Sequence, residues 1–269
     1  MTVPIPDGLS YYSKGTRIFF PSKELAWIQA TIDTISIDQK AAKVKFICSD
    51  DNGGDINFEA SFNDIIKSKN AVLPPICNPP ILDGIDDLSN LSHLNEPAVL
   101  HNLQVRYHMG NIYTYSGIVL VAMNPFARVQ LYSQDILTAY AGQLRGQLEP
   151  HLFAIAEDAY QGMVRDSKNQ TIIVSGESGA GKTVSAKYIM RYFASAHEES
   201  KGTFKNDNNV ISFIEQMILA TNPVLESFGN AKTTRNDNSS RFGKYLEIEF
   251  NGSNNITGAF TRIYLLERS

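Results

Sequence analysis

The sequence predicts an α/β protein: a mixed central sheet flanked by helices, preceded by a small all-β module. Three observations carry this expectation. Short runs rich in β-branched and aromatic residues crowd residues 13–66. Strand-like and helix-like segments alternate from about residue 86. One glycine-rich stretch, GESGAGKT at 176–183, follows directly on the apolar run TIIVS. At 269 residues the chain is long enough for one large domain or two smaller ones, each with its own core.

The first module is placed at 13–66. TRIFF, AWIQATI, AKVKFIC and INFEA read as strands, and DNGGD at 51–55 supplies tight-turn chemistry before the last of them. Five short strands at this spacing suggest a small barrel. A linker is placed at 67–85. Its stretch VLPPICNPP carries four prolines, which cannot join a helix or a central strand.

The larger domain is placed at 86–269. LSNLSHLNEPAVLHNLQVRYHMG reads as helical, and IYTYSGIVLVAMNP as one strand buried on both faces. HLFAIAEDAYQGMVRD puts Leu152, Ile155, Ala156, Ala159 and Met163 on one helical stripe. QTIIVS reads as a second buried strand. After the glycine-rich loop, Ile189, Tyr192, Phe193 and Ala196 share a helical face. KGTFKNDNN at 201–209 reads as a surface loop and VISFIEQMILAT as a helix. KYLEIEF and ITGAFTRIYLL form a hairpin around NGSN.

Composition narrows the function classes. A hydrophobic fraction of 43% and a charged fraction of 19% suit a soluble globular chain, and a net charge of −4 argues against a dominant nucleic-acid surface. Cys48 and Cys77 read as two reduced, buried thiols. The first residues lack the basic-then-apolar pattern of a signal peptide. The longest apolar run, GIVLVAM, falls short of the roughly 18 residues of a membrane span, so membrane insertion is not expected. A cytosolic location follows by elimination. His93, His101, His108, His151 and His197 show no metal-ligand spacing.

GESGAGKT fits G-x-x-x-x-G-K-[ST], with Gly176, Gly181, Lys182 and Thr183 at the defining positions. Gly176, Gly179 and Gly181 allow dihedrals that a side chain would oppose, so the backbone of Gly176, Glu177, Ser178, Gly179, Ala180 and Gly181 can turn its N–H groups inward on an anion. The helix that follows adds its positive end. Lys182 supplies a cation for the β and γ oxygens of a nucleoside triphosphate, and the Thr183 hydroxyl suits Mg²⁺. A buried strand entering and an amphipathic helix leaving is the context this motif requires, so the expected fold is a P-loop NTPase with a mixed central sheet, incomplete here. The Glu177 carboxylate reads as a surface or packing group.

About fifty residues later, NPVLESFGNAKTTRNDNSSRFGKY gathers Asn236, Ser239, Ser240 and Arg241 before a strand. Such a loop can face a terminal phosphate, with hydroxyls for a water or a metal shell. The same composition also suits a solvated Asn/Ser turn, and residue types alone leave the two open. Lys232, Arg235, Arg241 and Lys244 form a basic cluster nearby. Tyr188, Tyr192 and Phe193 read as core.

GESGAGKT together with NAKTTRNDNSSRFGKY resembles the P-loop and switch I of the myosin motor head. IYTYSGIVLVAMNPF is similar to the strand before its purine-binding loop. LNEPAVLHNLQVRY and KELAWIQA resemble the class V branch, of fungal type. Kinesins share the N-x-x-S-S-R element, but not the longer block. The resemblance implies an SH3-like barrel at 13–66 ahead of the motor core. It implies ATP and Mg²⁺, with the adenine held by Asn124, Pro125 and Tyr132 and with Arg128 on the same loop. Lys182 then contacts the β- and γ-phosphates, Thr183 and Ser240 coordinate Mg²⁺, and Asn236 bonds the phosphate chain. Ser239 lies beside the attacking water, and Arg241 is half of a salt bridge to a switch II glutamate. Actin filaments are the implied track, with calmodulin-type light chains and cargo adaptors bound by other parts of such a protein.

No D-x-x-G-x-E segment follows residue 241. The expectation is therefore the N-terminal part of a motor, truncated before switch II, with sheet edges left unpaired and poor solubility alone. Two alternatives stand beside the actin-activated ATPase: a nucleotide-binding fragment without turnover, and a kinesin-like P-loop motor.

Overall fold

The structure is a computed structural model that describes residues 3–51, 53–195, 223–234, 236–254 and 256–265. The expected loop at 201–209, the helix at 210–221, and Ala196, His197 and Arg235 lie outside the described residues. The chain divides into two compact units, Met1–Asn111 and Ile112–Ser269.

The first unit is built on an antiparallel meander of β1 (Arg17–Ser22), β2 (Ala26–Asp38), β3 (Lys43–Asp50) and β4 (Asp55–Ser61), in that order across the sheet. Alternation explains it. In β3, Val44, Phe46 and Cys48 point into the core while Lys43, Lys45 and Ile47 face out. Ile18, Ile32, Phe62 and Ile65 complete the interior, and each such side chain stabilises by about 1.5–3 kcal/mol through removal from water. The pairing of β2 with β3 shifts register between Ile32 and Thr34, a bulge that bends the long strand over the core. Helix α1 (Phe62–Lys67) starts where the Ser61 hydroxyl accepts from the Asp64 N–H.

Four strands form rather than the five expected. The proline-rich stretch instead makes one bridge to the free edge of β1, between Ile18 and Ile76. Phe19 N–H donates to the Pro75 carbonyl at 2.7 Å and Cys77 N–H to the Arg17 carbonyl at 2.9 Å. Pro74 and Pro75 have no N–H to donate, so pairing stops there and the sheet remains a half-barrel. Both cysteines are free and buried; burial raises the Cys48 thiol to about 11 and the Cys77 thiol to about 12, leaving both unreactive. Helix α2 (Glu96–His108) begins at Asn95, whose side chain accepts from Ala98 N–H. From α2, the Asn102 amide bonds both Gly84 N–H and the Ile85 carbonyl, and Arg106 donates to the Gly84 carbonyl.

The second unit opens with a correction. IYTYSGIVLVAM is not one buried strand but a tight hairpin of β5 (Tyr113–Ser116) and β6 (Val119–Ala122). Gly117 takes φ +57 at the first turn position, the glycine-first pattern of a two-residue hairpin. Arg145 donates to the carbonyls of Gly117 and Ile118 and lies over the Tyr115 ring. Ile118 is left exposed at the tip.

QTIIVS is also not a strand. Among the described residues nothing pairs with it, and Ile173 is 85% exposed. The strands described in this unit form three separate antiparallel pairs: β5 with β6, β7 (Asn230–Ala231) with β8 (Ser239–Ser240), and β9 (Phe242–Phe250) with β10 (Ile256–Leu265). The last of these is the hairpin expected from KYLEIEF and ITGAFTRIYLL.

Helices supply this unit's core. Short α3 (Gln134–Tyr140) and α4 (Leu152–Asp166) pack with α5 (Lys182–Ser195), burying Leu137, Leu152, Phe153, Ala156, Ile189 and Tyr192. Of the stripe foreseen on α4, Leu152 and Ala156 are fully inside and Ile155, Ala159 and Met163 partly so. The residue beside that stripe was not foreseen as buried: Glu157 is fully enclosed. Its carboxylate accepts from Gly142 N–H at 2.9 Å, the Gln161 amide at 2.6 Å and the Tyr192 hydroxyl at 2.7 Å. Burial, and then the bond to Glu157, push the Tyr192 hydroxyl well above its ordinary range, so it stays a donor.

His151 caps α4. Its Nδ1 accepts from Phe153 N–H and its Nε2 donates to the Leu131 carbonyl, both at 3.0 Å, which makes it a neutral Nε2–H tautomer. It is packed among Tyr113, Tyr140 and Phe153, and burial lowers its pKa from 6.5 to about 4.

Two outcomes follow from these buried polar groups. Glu157→Ala, which strands the Tyr192 hydroxyl and Gly142 N–H, should cost upwards of about 3 kcal/mol in urea unfolding, and Glu157→Gln less. For His151 the unfolded state binds the extra proton between pH 6.5 and about 4. Its contribution, on the order of 3 kcal/mol, is therefore full above 6.5 and is lost as the pH falls towards 4. His151→Asn keeps a cap acceptor without the titration and should lessen the fall in urea midpoint between pH 7 and pH 5.

Candidate functional site

Gly176 (φ +154), Gly179 (φ +83) and Gly181 (φ +94) carry the glycine-rich loop round into α5. A Cβ on Gly176 would meet the Ala180 Cβ at 3.2 Å, so close approach as well as dihedral angle favours glycine there. Ala180 N–H donates to the Glu177 carbonyl at 3.2 Å, and the first helical bond runs from Ser185 N–H to the Gly181 carbonyl at 2.9 Å. The N–H groups of the first turn of α5 have no intrahelical acceptor, and they cluster at the positive end of a fourteen-residue helix. Lys182 folds back over the loop, its Nζ donating to the carbonyls of Gly176 and Glu177, both at 2.8 Å. An ammonium has three donors, so one remains for an anion. Thr183 is exposed.

The polar segment at 229–241 meets this loop directly. β7 and β8 pair Asn230 with Ser240 and Ala231 with Ser239. The turn between them is held by Thr233 N–H to the Asn236 carbonyl at 2.8 Å, Asn236 N–H to Thr233 Oγ1 at 3.1 Å, and Asn238 N–H to Asn236 Oδ1 at 3.1 Å. Arg241 N–H donates to the Gly229 carbonyl at 2.9 Å. A Cβ on Gly229 would lie 2.3 Å from Phe242 Cδ1, so any side chain there forces the Phe242 ring to move. Ser239 is 3% exposed, and its Oγ accepts from the Ser178 hydroxyl at 2.6 Å; Thr233 Oγ1 lies 3.4 Å from the same Ser178 oxygen. Ser240, the next residue, is exposed. Lys232 pairs with Asp237 at the surface. Burial, then the nearby Lys187, lower the Lys244 ammonium.

A third segment, 124–132, is tied to both. Asn124 Nδ2 donates to the Gly179 carbonyl at 2.7 Å, and its Oδ1 accepts from Phe126 N–H at 2.9 Å. Phe126 takes φ +49, an uncommon backbone for a bulky residue. Tyr132 is half-buried, with its hydroxyl 2.6 Å from that of Tyr113. Pro125 is partly buried and Arg128 exposed.

The residues named from sequence on the three segments thus meet through two contacts, Ser178 with Ser239 and Asn124 with Gly179. Residues not foreseen are Thr233, Asn238, Gly229, Tyr113 and Arg191. For Gly229 the signal was its place just before the short polar strand. The others carry no local pattern that separates them from ordinary surface or core positions. Among the described residues no cluster of three or more His, Cys, Asp or Glu side chains is placed to hold a metal, and no helix is long and apolar enough to cross a membrane.

Residues 85–269 match the family described as myosin head (motor domain). Over 96% of its length the chain is 58% identical to Myosin-2 of Saccharomyces uvarum, 57% identical to Myosin-2 of Saccharomyces cerevisiae and 50% identical to unconventional myosin-Vb of Rattus norvegicus. It spans 16%, 16% and 13% of those relatives. Both the fungal and the class V similarity read from the sequence are met, and a kinesin-like origin is not favoured.

The Ser178–Ser239 contact should be measurable in the free protein. Ser178→Ala leaves the buried Ser239 hydroxyl without its donor, at a cost of about 1 kcal/mol, and should speed hydrogen exchange at 236–241 while leaving α4 unchanged.

Proposed function

Because the chain belongs to the myosin head family, we propose that it is the ATP-binding portion of an actin-based motor, whose longer protein couples Mg²⁺-dependent ATP hydrolysis to movement along actin filaments. Its larger part is read as the start of a P-loop NTPase motor domain at 86–269. The half-barrel at 13–66 is read as an SH3-like module and 67–85 as the linker between them. The actin cytoskeleton of the cytoplasm is the proposed location, and vesicle transport the proposed process. Calmodulin-type light chains and cargo adaptors are proposed as partners of the longer protein.

The observation that carries the reading is the hydrogen bond between Ser178 of the phosphate loop and Ser239 of the β7–β8 segment. It supports a site in which one loop holds a polyphosphate and a second, polar one senses its terminal group. Positive-φ glycines, first-turn N–H groups and one spare ammonium donor fit a triphosphate chain. Thr183 and Ser240 offer hard hydroxyl oxygens on the two sides of that contact, and they would hold Mg²⁺, which neutralises phosphate charge when bound. Asn124, Pro125, Arg128 and Tyr132 would line the base end.

The chain's own groups then act by positioning and electrostatics, with no covalent intermediate. Lys182 and the loop amides bind and orient the phosphates. The Asn236 amide bonds the chain of oxygens. Ser239 Oγ, already within a hydroxyl pair with Ser178, is placed to orient a water and pass on its proton. Arg241 would supply the charged half of an ion pair that closes the segment over the substrate.

In the full-length protein, Lys182→Ala should abolish the Mg²⁺-dependent heat of ATP binding in calorimetry. Ser239→Ala and Arg241→Ala should lower the actin-activated turnover by about 10²-fold or more while sparing binding. A steady-state ATPase untouched by Arg241→Ala would mean that the terminal-phosphate role of this segment is wrong.

A further inference from the structure

The base-end segment is anchored in a way the reading above does not require. Tyr132 lies face to face with Tyr188 of α5, their ring centroids 3.5 Å apart and the planes within 13°. One helical turn on, Arg191 Nη1 donates to the Tyr132 carbonyl at 3.0 Å. The Tyr132 hydroxyl is held by that of Tyr113, and Tyr113 is itself 4% exposed. Burial, and after it the bond to Tyr132, keep the Tyr113 hydroxyl protonated well beyond its ordinary range. At its other end the same segment is held by Asn124 to the Gly179 carbonyl. Both arms of the Asn124 amide are occupied within the protein.

The segment at 124–132 is therefore clamped at its first residue to the phosphate loop and at its last to the helix which that loop starts. We infer that Tyr188 and Arg191 are positioning residues for nucleotide base recognition: they hold Tyr132 through its ring face and its carbonyl, and so fix the distance between the base end and the phosphate end of the site. This rests on the nucleotide-binding reading and adds to it. Tyr188 and Arg191 lie one turn apart on α5, so both reach the same neighbour. A phenol ring whose face is covered and whose hydroxyl is bonded has few rotamers left, and pre-ordering of that kind strengthens binding by removing the cost of ordering it later. The rigid helix makes the spacing independent of the exposed turn at 126–128.

The consequence is selective for the base. Loss of the stack should weaken ligands that carry a base and leave bare polyphosphates alone, because the glycine loop, Lys182 and the first turn of α5 are not altered. The experiment is calorimetry on the full-length protein with two probes, MgATP and magnesium tripolyphosphate. Tyr188→Leu should raise the Kd for MgATP roughly three- to tenfold, the range expected for a lost aromatic pair, with the tripolyphosphate Kd unchanged. Tyr188→Phe keeps the ring and should bind both probes like the native protein. Arg191→Met should reproduce the pattern of Tyr188→Leu and gives a second route if that variant does not fold. Equal weakening of both probes by Tyr188→Leu and Arg191→Met would overturn the proposal and leave α5 with a structural role only, as would native-like MgATP binding in both. A native protein that binds neither probe would overturn the nucleotide reading itself, and this inference with it.

Discussion

A chain that must turn from an extended approach into a helix within a few residues, while leaving its N–H groups uncovered, has few solutions. Here the turn is made by Gly176, Gly179 and Gly181 at positive φ, with Lys182 as the first residue of α5. Every other feature of the site is arranged around that backbone. The Gly179 carbonyl receives Asn124, the Ser178 hydroxyl reaches Ser239, and the carbonyls of Gly176 and Glu177 receive the ammonium of Lys182. A Cβ at Gly176 would press on the Ala180 Cβ at 3.2 Å, so close approach keeps a glycine there.

The loop is precise only because its helix is held. Along α5, Ile189 and Tyr192 sit in the apolar core, and Tyr192 is tied to the enclosed Glu157 of α4. A buried carboxylate is costly unless its oxygens are bonded, and Gly142 N–H, Gln161 and Tyr192 bond them. The network fixes the rotation of α5 against α4. That rotation in turn presents Tyr188 and Arg191 to Tyr132. Packing within the helical core thus decides how these segments face one another.

Legibility followed the range of the interactions. The glycine-rich turn at 176–181 was readable because its requirement is local: glycine where φ is positive. Helix α4 and the β9–β10 hairpin were readable from periodicity and turn residues. IYTYSGIVLVAM misled because apolar residues continue straight through its turn; Gly117 and the reach of Arg145 from 28 residues later make it a hairpin. QTIIVS has strand composition but no partner among the described residues, and composition cannot supply a ladder of hydrogen bonds. Glu157 was passed over because a carboxylate beside an apolar stripe normally marks the solvated side.

The sequence by itself determined the identity of the chemical groups and their local backbone: a glycine-permitted turn into a helix, a hydroxyl-rich segment some fifty residues later, and alternating strands in the first module. It also carried enough of the long switch-like block to show its family. Only the tertiary structure decided which of these groups touch. That Ser178 meets Ser239, that Asn124 turns its amide on Gly179, and that Tyr188 stacks on Tyr132 at the edge of the core are contacts between residues more than fifty positions apart in the chain. Such contacts depend on how helices pack and rotate about a shared core, and no residue type or spacing encodes that rotation on its own.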